Sequence, residues 1–373
     1  MQHADLTNVM KKIVILLHSY YKINSGGAEY QAYLLACELI ARNYQVHYIY
    51  TGEKSETNND GQLITHGIKK IFSKHFGQSY FLYYRAITEK LTEIEPDIIY
   101  NRNLSAFAGI AAKYCSKANC KMIWHIANEP DVNYFRVSKI RTVAFDYLDK
   151  KIAEYGVKHA QYIIGQAKYQ DELLHKNYDR RCDLVIGNWH PLPKEPDIKS
   201  EPVKVVWIAN IKPKKNPGLF VELSRHFIGE NNVEFVMIGR PSNGEFQRQF
   251  VTSVCEIDNL TYCGEQTMDE VNHILEQSDI FVNTSEYEGF ANSFIQSWMR
   301  GVPVISLNVD PDDLLKEKRL GLHSGTLDQL VEDTKLLIQN KELRNEMGGN
   351  AKSYANSNHS LRNIDKVIEL IER

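Results

Sequence analysis

Short runs of β-branched and aliphatic residues alternate with helical patterns along almost the whole chain, and this alternation most limits how it can fold. Residues 13–17 read as a strand. Residues 28–41 follow as a helix in which Leu34, Leu35, Leu39 and Ile40 recur at helical spacing. Residues 46–50 return to strand, and 97–100, 122–124 and 162–164 are further strands with helices between them. A strand covered on both faces is apolar along its length, and these are. The expected fold class is therefore α/β, with doubly wound, Rossmann-like parallel sheets.

Between Pro191 and Pro202 lie Pro193 and Pro196, so four prolines fall in twelve residues that can neither continue a helix nor pair within a sheet. Residues 191–202 are the expected linker between a domain of 10–190 and one of 203–359. The alternation then restarts with strands at 203–208, 234–238, 260–262, 279–283 and 302–305. Helices are expected at 217–227 and about 292–300. Another opens at a capping box of Thr267 and Glu270 and runs to about Gln277. Residues 327–340, 341–355 and 360–373 close the chain as helices. Two such domains suggest a cleft between them, with ligands held beyond the carboxyl ends of the strands.

Composition narrows the class. With 43% hydrophobic and 24% charged residues the chain is neither disordered nor fibrous. Its 44 Lys+Arg against 47 Asp+Glu give a net charge of -3, without the basic excess of a nucleic-acid binder. No apolar run approaches the ~20 residues of a membrane span. Lys11 and Lys12 ahead of an apolar run imitate a signal peptide, but that run stops at His18, and a buried first strand is the better reading. Residues 1–9 are polar, and Met10 is a candidate natural start. The six cysteines form no Cys-x-x-Cys pair and read as free thiols of a reducing compartment, so a cytoplasmic setting is expected. No His/Cys/Asp cluster has metal-ligand spacing.

Candidate site residues sit where strands end. Gly26 and Gly27 precede the first helix, where backbone amides and the helix dipole face an anion or a tight turn needs glycine. His125 follows a strand and can donate to a sugar hydroxyl, a phosphate or a backbone carbonyl. Asn210, Lys212, Lys214 and Lys215 lie between a strand and the helix at 217, an anion site or a solvated basic loop. The most informative stretch runs from Phe281 through Glu288, Gly289, Phe290, Ala291, Asn292 and Gln296 to Ile305. Here a strand enters an acidic glycine loop, a helix and another buried strand. A Gly-x-Gly-x-x-Gly dinucleotide fingerprint is missing, which disfavours an NAD enzyme.

In these motifs the chain resembles the family-4 retaining glycosyltransferases: Glu288-Gly289-Phe290, a helix and Gly301-Val302-Pro303-Val304-Ile305, supported by Gly26-Gly27-Ala28-Glu29, His125 and Lys215. The resemblance covers nearly everything from Met10 onward. It implies the two-domain GT-B fold, with the helix at 360–373 returning to the first, acceptor-side domain. It also implies transfer of a sugar from a UDP- or GDP-sugar with retained configuration, without a metal or other cofactor. Lys215 would hold the diphosphate and Glu288 the donor sugar's hydroxyls. Gly289, Phe290, Ala291 and Asn292 would line the donor, Gly26 and Gly27 would approach the diphosphate, and His125 would lie near the sugar. Two positions depart from the family pattern: Gln296 stands where a second glutamate is usual and Asn210 where an arginine is. Glutamine keeps an acceptor oxygen but loses the charge-assisted bond.

The expected acceptor is a glycan, lipid-linked as in surface-polysaccharide assembly. Basic and aromatic residues at 69–76 (Lys69, Lys70, Phe72, Lys74, His75, Phe76) and 134–141 suggest peripheral contact with the inner face of a membrane. Competing readings are a non-catalytic glycan- or partner-binding subunit that kept the fold and a nucleotide-sugar epimerase.

Overall fold

The computed structural model of the 373-residue chain describes residues 10–23, 26–71, 79–133, 143–193, 201–240, 250, 254, 257–288 and 290–373. Two compact units emerge, residues 1–186 with 364–373 and residues 187–363.

The first unit is built on strands β1 (Lys12–Leu16), β2 (Gln45–Gly52), β3 (Glu56–Asp60), β4 (Leu63–Lys69), β5 (Ile98–Arg102), β6 (Lys121–His125), β7 (Tyr162–Gly165) and β8 (Leu184–Val185). They form one sheet in the order β3-β4-β2-β1-β5-β6-β7-β8. Every pairing is parallel except β3 with β4. In the central strand, residues Ile13, Val14, Ile15 and Leu16 are fully buried, as a sheet covered on both faces requires. Helices α1 (Gly27–Ala41), α2 (Tyr84–Ile94), α3 (Ala106–Cys115), α4 (Val143–His159) and α5 (Lys168–Tyr178) belong to this unit. Trp124, Phe107, Leu91 and Val157 meet in its core. Two glycines let α3 and α4 touch backbone to backbone. A Cβ on Gly109 would lie 1.9 Å from the Ile152 carbonyl oxygen, and one on Gly156 2.6 Å from the Gly109 nitrogen.

The second unit repeats the theme with β9 (Val203–Ile208), β10 (Val233–Ile238), β11 (Leu260–Tyr262), β12 (Ile280–Asn283), β13 (Val304–Ser306) and β14 (Gly321–His323), all parallel, in the order β11-β10-β9-β12-β13-β14. Its helices are α6 (Pro217–Arg225), α7 (Met268–Glu276), α8 (Asn292–Met299), α9 (Leu314–Glu317), α10 (Leu327–Gln339) and α11 (Lys341–Asn358). The Thr267–Glu270 capping box opens α7 as its spacing predicts. The last helix, α12 (Asn363–Glu372), joins the first unit: Glu372 accepts from Lys11 and Tyr44, and Arg42 reaches Asp365 at 2.5 Å. Residues 194–200, inside the expected linker, lie outside the described residues.

Each sheet has a place where the strand order reverses. In the first unit it falls between β1 and β5, in the second between β9 and β12. In doubly wound sheets such reversal points are where ligands sit, beyond the carboxyl ends of the strands. Among the described residues no helix is long and apolar enough to cross a membrane.

Candidate active site

At the second unit's reversal point, the chain leaves β9 through Asn210 and the buried Ile211 and makes a tight turn at Pro213–Lys215. Asn216 takes a left-handed conformation (φ 44°), and Pro217 opens α6. Asparagine tolerates that backbone, and proline at a first helical position sacrifices no hydrogen bond. The turn therefore halts the chain with Lys215 beside the end of β12.

The loop after β12 is pinned to this turn. The Thr284 hydroxyl accepts from the Trp207 indole (2.9 Å) and is shared between the carbonyls of Lys215 (2.8 Å) and Asn216 (3.0 Å). The Glu286 amide donates to the Lys214 carbonyl (2.9 Å). Two segments 70 residues apart in sequence thus become one rigid lip, and the Lys215 ammonium forms an ion pair with the Glu288 carboxylate. Ser285 donates to the same carboxylate oxygen (2.8 Å), and Asn283 brackets Ser285 through both its amide groups at 3.2 Å. The Lys215 and Glu288 side chains keep 17% and 15% of their surface exposed, enough for a ligand to reach them. Lys214 lies 5.4 Å from the ring centre of Tyr287, adding a second cation next to the pair.

Other expected donor residues are placed differently from one another. Lys212 is exposed and Asn210 half-buried, both on the β9 side of the turn. Gly289 lies outside the described residues. Phe290 is buried against the rings of His359 (4.9 Å) and Trp298 (6.0 Å), and Ala291 is the N-cap of α8, without a side-chain cap. The Asn292 side-chain oxygen accepts from Asn188 (3.0 Å) and faces His190 Nε2 (3.2 Å). The buried Gln296 donates its amide to Asn272 (3.1 Å) and meets the Met268 sulfur, both on α7. Lys215 and Glu288 are therefore brought together, while the bonds of Asn292 and Gln296 run to other neighbours.

Gly26, Gly27 and His125 belong to the first unit. The Glu29 carboxylate folds back over Gly26, where a Cβ would lie 2.0 Å from its oxygen, so an acidic group already occupies the positive end of α1. At the end of β6, His125 is fully buried. Tyr100 lies 2.6 Å from its Nδ1, and Arg102 lies 3.1 Å from the same nitrogen and 3.3 Å from the Tyr100 oxygen. Arg102 also reaches Nε2 at 3.5 Å, so its guanidinium faces the edge of the ring that carries both nitrogens. Burial and the nearby Arg102 charge hold this imidazole well below its ordinary pKa, and it stays neutral. Asp131 organises the loop that follows, accepting from the amides of Ala127 (2.7 Å), Leu104 (3.1 Å) and Asn128 (3.2 Å). His18, at the end of β1, is stacked 3.9 Å from Tyr80 and pushed down to about 4 by burial.

Sequence reading passed over Thr284, Ser285, Tyr100, Arg102 and Asp131. Only the last left a signal, the Asn128-x-x-Asp131 pattern of a capping box, which the structure contains. Among the described residues no three His, Cys, Asp or Glu side chains converge as a metal site. The basic-aromatic clusters at 72–76 and 134–141 lie outside the described residues, while Lys69 and Lys70 are exposed.

Paired parallel-sheet units with these motifs define the class of GT-B glycosyltransferases. Two family models together cover most of the chain: "Glycosyltransferase Family 4" matches residues 25–186 and "Glycosyl transferases group 1" matches residues 191–354. The chain belongs to the family-4-like glycosyltransferases. It is 27% identical over 157 residues to Glycosyltransferase 1 domain-containing protein 1 of Xenopus tropicalis, a match spanning 42% of this chain and 46% of that protein. Two solved structures share the fold. Sucrose-phosphate synthase from Thermosynechococcus elongatus superposes with a TM-score of 0.79 at 14% identity, covering 97% of this chain and 98% of that one. HepE of Anabaena, solved in complex with UDP and glucose, gives 0.73 at 15% identity over 97% and 99%.

Proposed function

We propose that this protein transfers a sugar from a nucleoside-diphosphate sugar, UDP- or GDP-linked, to a glycan acceptor with retention of anomeric configuration. The observation that carries this reading is the Lys215–Glu288 pair, fixed by Thr284 and Ser285 at the reversal point between β9 and β12. It supplies a cation for a diphosphate next to a carboxylate for sugar hydroxyls. The HepE complex with UDP and glucose supports the same ligand class.

In the proposed step the anomeric carbon–oxygen bond to the diphosphate breaks as the acceptor oxygen bonds to that carbon on the same face. The acceptor's proton passes to a departing diphosphate oxygen. Lys215 stabilises the charge that builds on the leaving group, so no carboxylate nucleophile is needed. In this reading His125, held neutral by burial, lies near the sugar. The acceptor is a lipid-linked glycan of surface-polysaccharide assembly, met at the membrane surface from the cytoplasmic side. Neither a metal nor an organic cofactor takes part.

The test is a thermal-shift panel with UDP, GDP, CMP, ADP and NAD, followed by product analysis with the sugar nucleotide of the base that binds. A ligand at 100 times its dissociation constant stabilises by about 2.7 kcal/mol. A shift with UDP or GDP, together with sugar appearing on an acceptor, supports the reading. An epimerised donor as the product, or binding without turnover, rejects it. Lys215→Ala should lower kcat/KM by about 10²–10³-fold, the cost of losing one transition-state charge partner. Unchanged rates would remove Lys215 from the mechanism.

A further inference from the structure

Spacing alone does not single out Cys115 and Cys120, yet the fold brings their sulfurs to 3.1 Å, with the Cys115 thiol donating to Cys120. Cys115 ends α3, and Cys120 immediately precedes β6. Backbone bonds hold the connection between them. The Lys117 and Ala118 amides donate to the Tyr114 carbonyl, Cys120 donates to Ala118, and Lys121 donates to Asp97 at the sheet. The two Cα positions are thus set by the backbone, and the side chains bring the sulfurs together.

We infer that Cys115 and Cys120 are a reversible redox-modification site that closes to an intramolecular disulfide with a small disulfide of the glutathione class. Cys120, as its thiolate, attacks one sulfur of the incoming disulfide, and one small thiol leaves. Cys115 then attacks the mixed disulfide and releases the second. Two protein thiols and one small disulfide become one protein disulfide and two small thiols, with electrons and protons in balance. The exposed Lys113 and Lys117 flank the pair and attract the carboxylates of glutathione. Closure ties the end of α3 to the start of β6, the strand that ends in His125.

The experiment incubates the whole protein with oxidised glutathione and with a reduced control, blocks remaining thiols and maps peptides by mass spectrometry. A Cys115–Cys120 linkage reversed by reduced glutathione, with the other four cysteines alkylated in both samples, is the expected result. Circular dichroism melting of the oxidised form should then show a higher midpoint, absent in Cys115→Ser and Cys120→Ser. Separate alkylated Cys115 and Cys120 peptides, or a glutathione adduct that stays on Cys120, would overturn the inference.

Discussion

Lys215 and Glu288 form an ion pair, so in the proposed reading an incoming diphosphate competes with Glu288 for Lys215. Ser285 also donates to Glu288, a hold on the carboxylate that does not depend on Lys215. Removing the negative charge while preserving shape should separate the two roles. Glu288→Gln is expected to bind UDP or GDP more tightly, by up to about tenfold or about 1.4 kcal/mol, while transfer falls. Titration calorimetry of the free nucleotide checks the first half, and an affinity equal to wild type would show that the ion pair does not compete with the diphosphate. The motif around Glu288 was legible because a glycine loop between a strand and a helix is a local pattern. Thr284 and Ser285 were not, because their roles exist only once the loops after β9 and β12 meet. Gln296 could be seen to differ from a glutamate, but its bond to Asn272 on α7 depends on helix packing that spacing does not encode.

The buried strands announced themselves as unbroken apolar runs, and their bounds moved by only a residue or two. β3 and β4 escaped notice for opposite reasons. β3, Glu56–Asp60, is polar and antiparallel at the sheet edge, where burial does not dictate composition. β4 is broken by His66 and Gly67, yet it is largely buried against β2. Its His66 ring lies 2.9 Å from His47 of β2, a pairing across strands that periodicity cannot reveal. The α3–α4 contact offers the clearest test of an element's packing. In Gly109→Ala the new methyl meets the Ile152 backbone rather than a flexible side chain, so the helices must separate. A loss of about 1–3 kcal/mol is expected in urea unfolding, as for other overpacked contacts. A variant as stable as wild type would mean that α4 shifts without penalty.

Besides His125, four histidines spread over both units are held neutral by burial. His18, His66 and His359 are pushed down to about 4 and His190 to about 3, against an ordinary value of 6.5. Unfolded, each binds a proton once the pH drops below about 6.5, whereas the folded protein resists until about pH 4. Stability is therefore full above pH 6.5 and falls as the pH is lowered, by up to about 1.4 kcal/mol per pH unit for each histidine. Unfolding midpoints in urea between pH 7 and pH 4.5 check this, and a flat profile would contradict the buried, neutral state. His18 and His66 lie in one unit and His190 and His359 in the other, so both units should weaken together.

The return of α12 to the first unit also sets an order of events during synthesis. Ile364, Val367, Leu370 and Ile371 are buried, and Asp365 and Glu372 supply the partners of Arg42, Tyr44 and Lys11. On the ribosome, domains generally fold in the order they emerge. Here the unit that emerges first lacks its closing helix until residue 372 is made. To close the first unit, α12 has to find a surface translated more than 300 residues earlier.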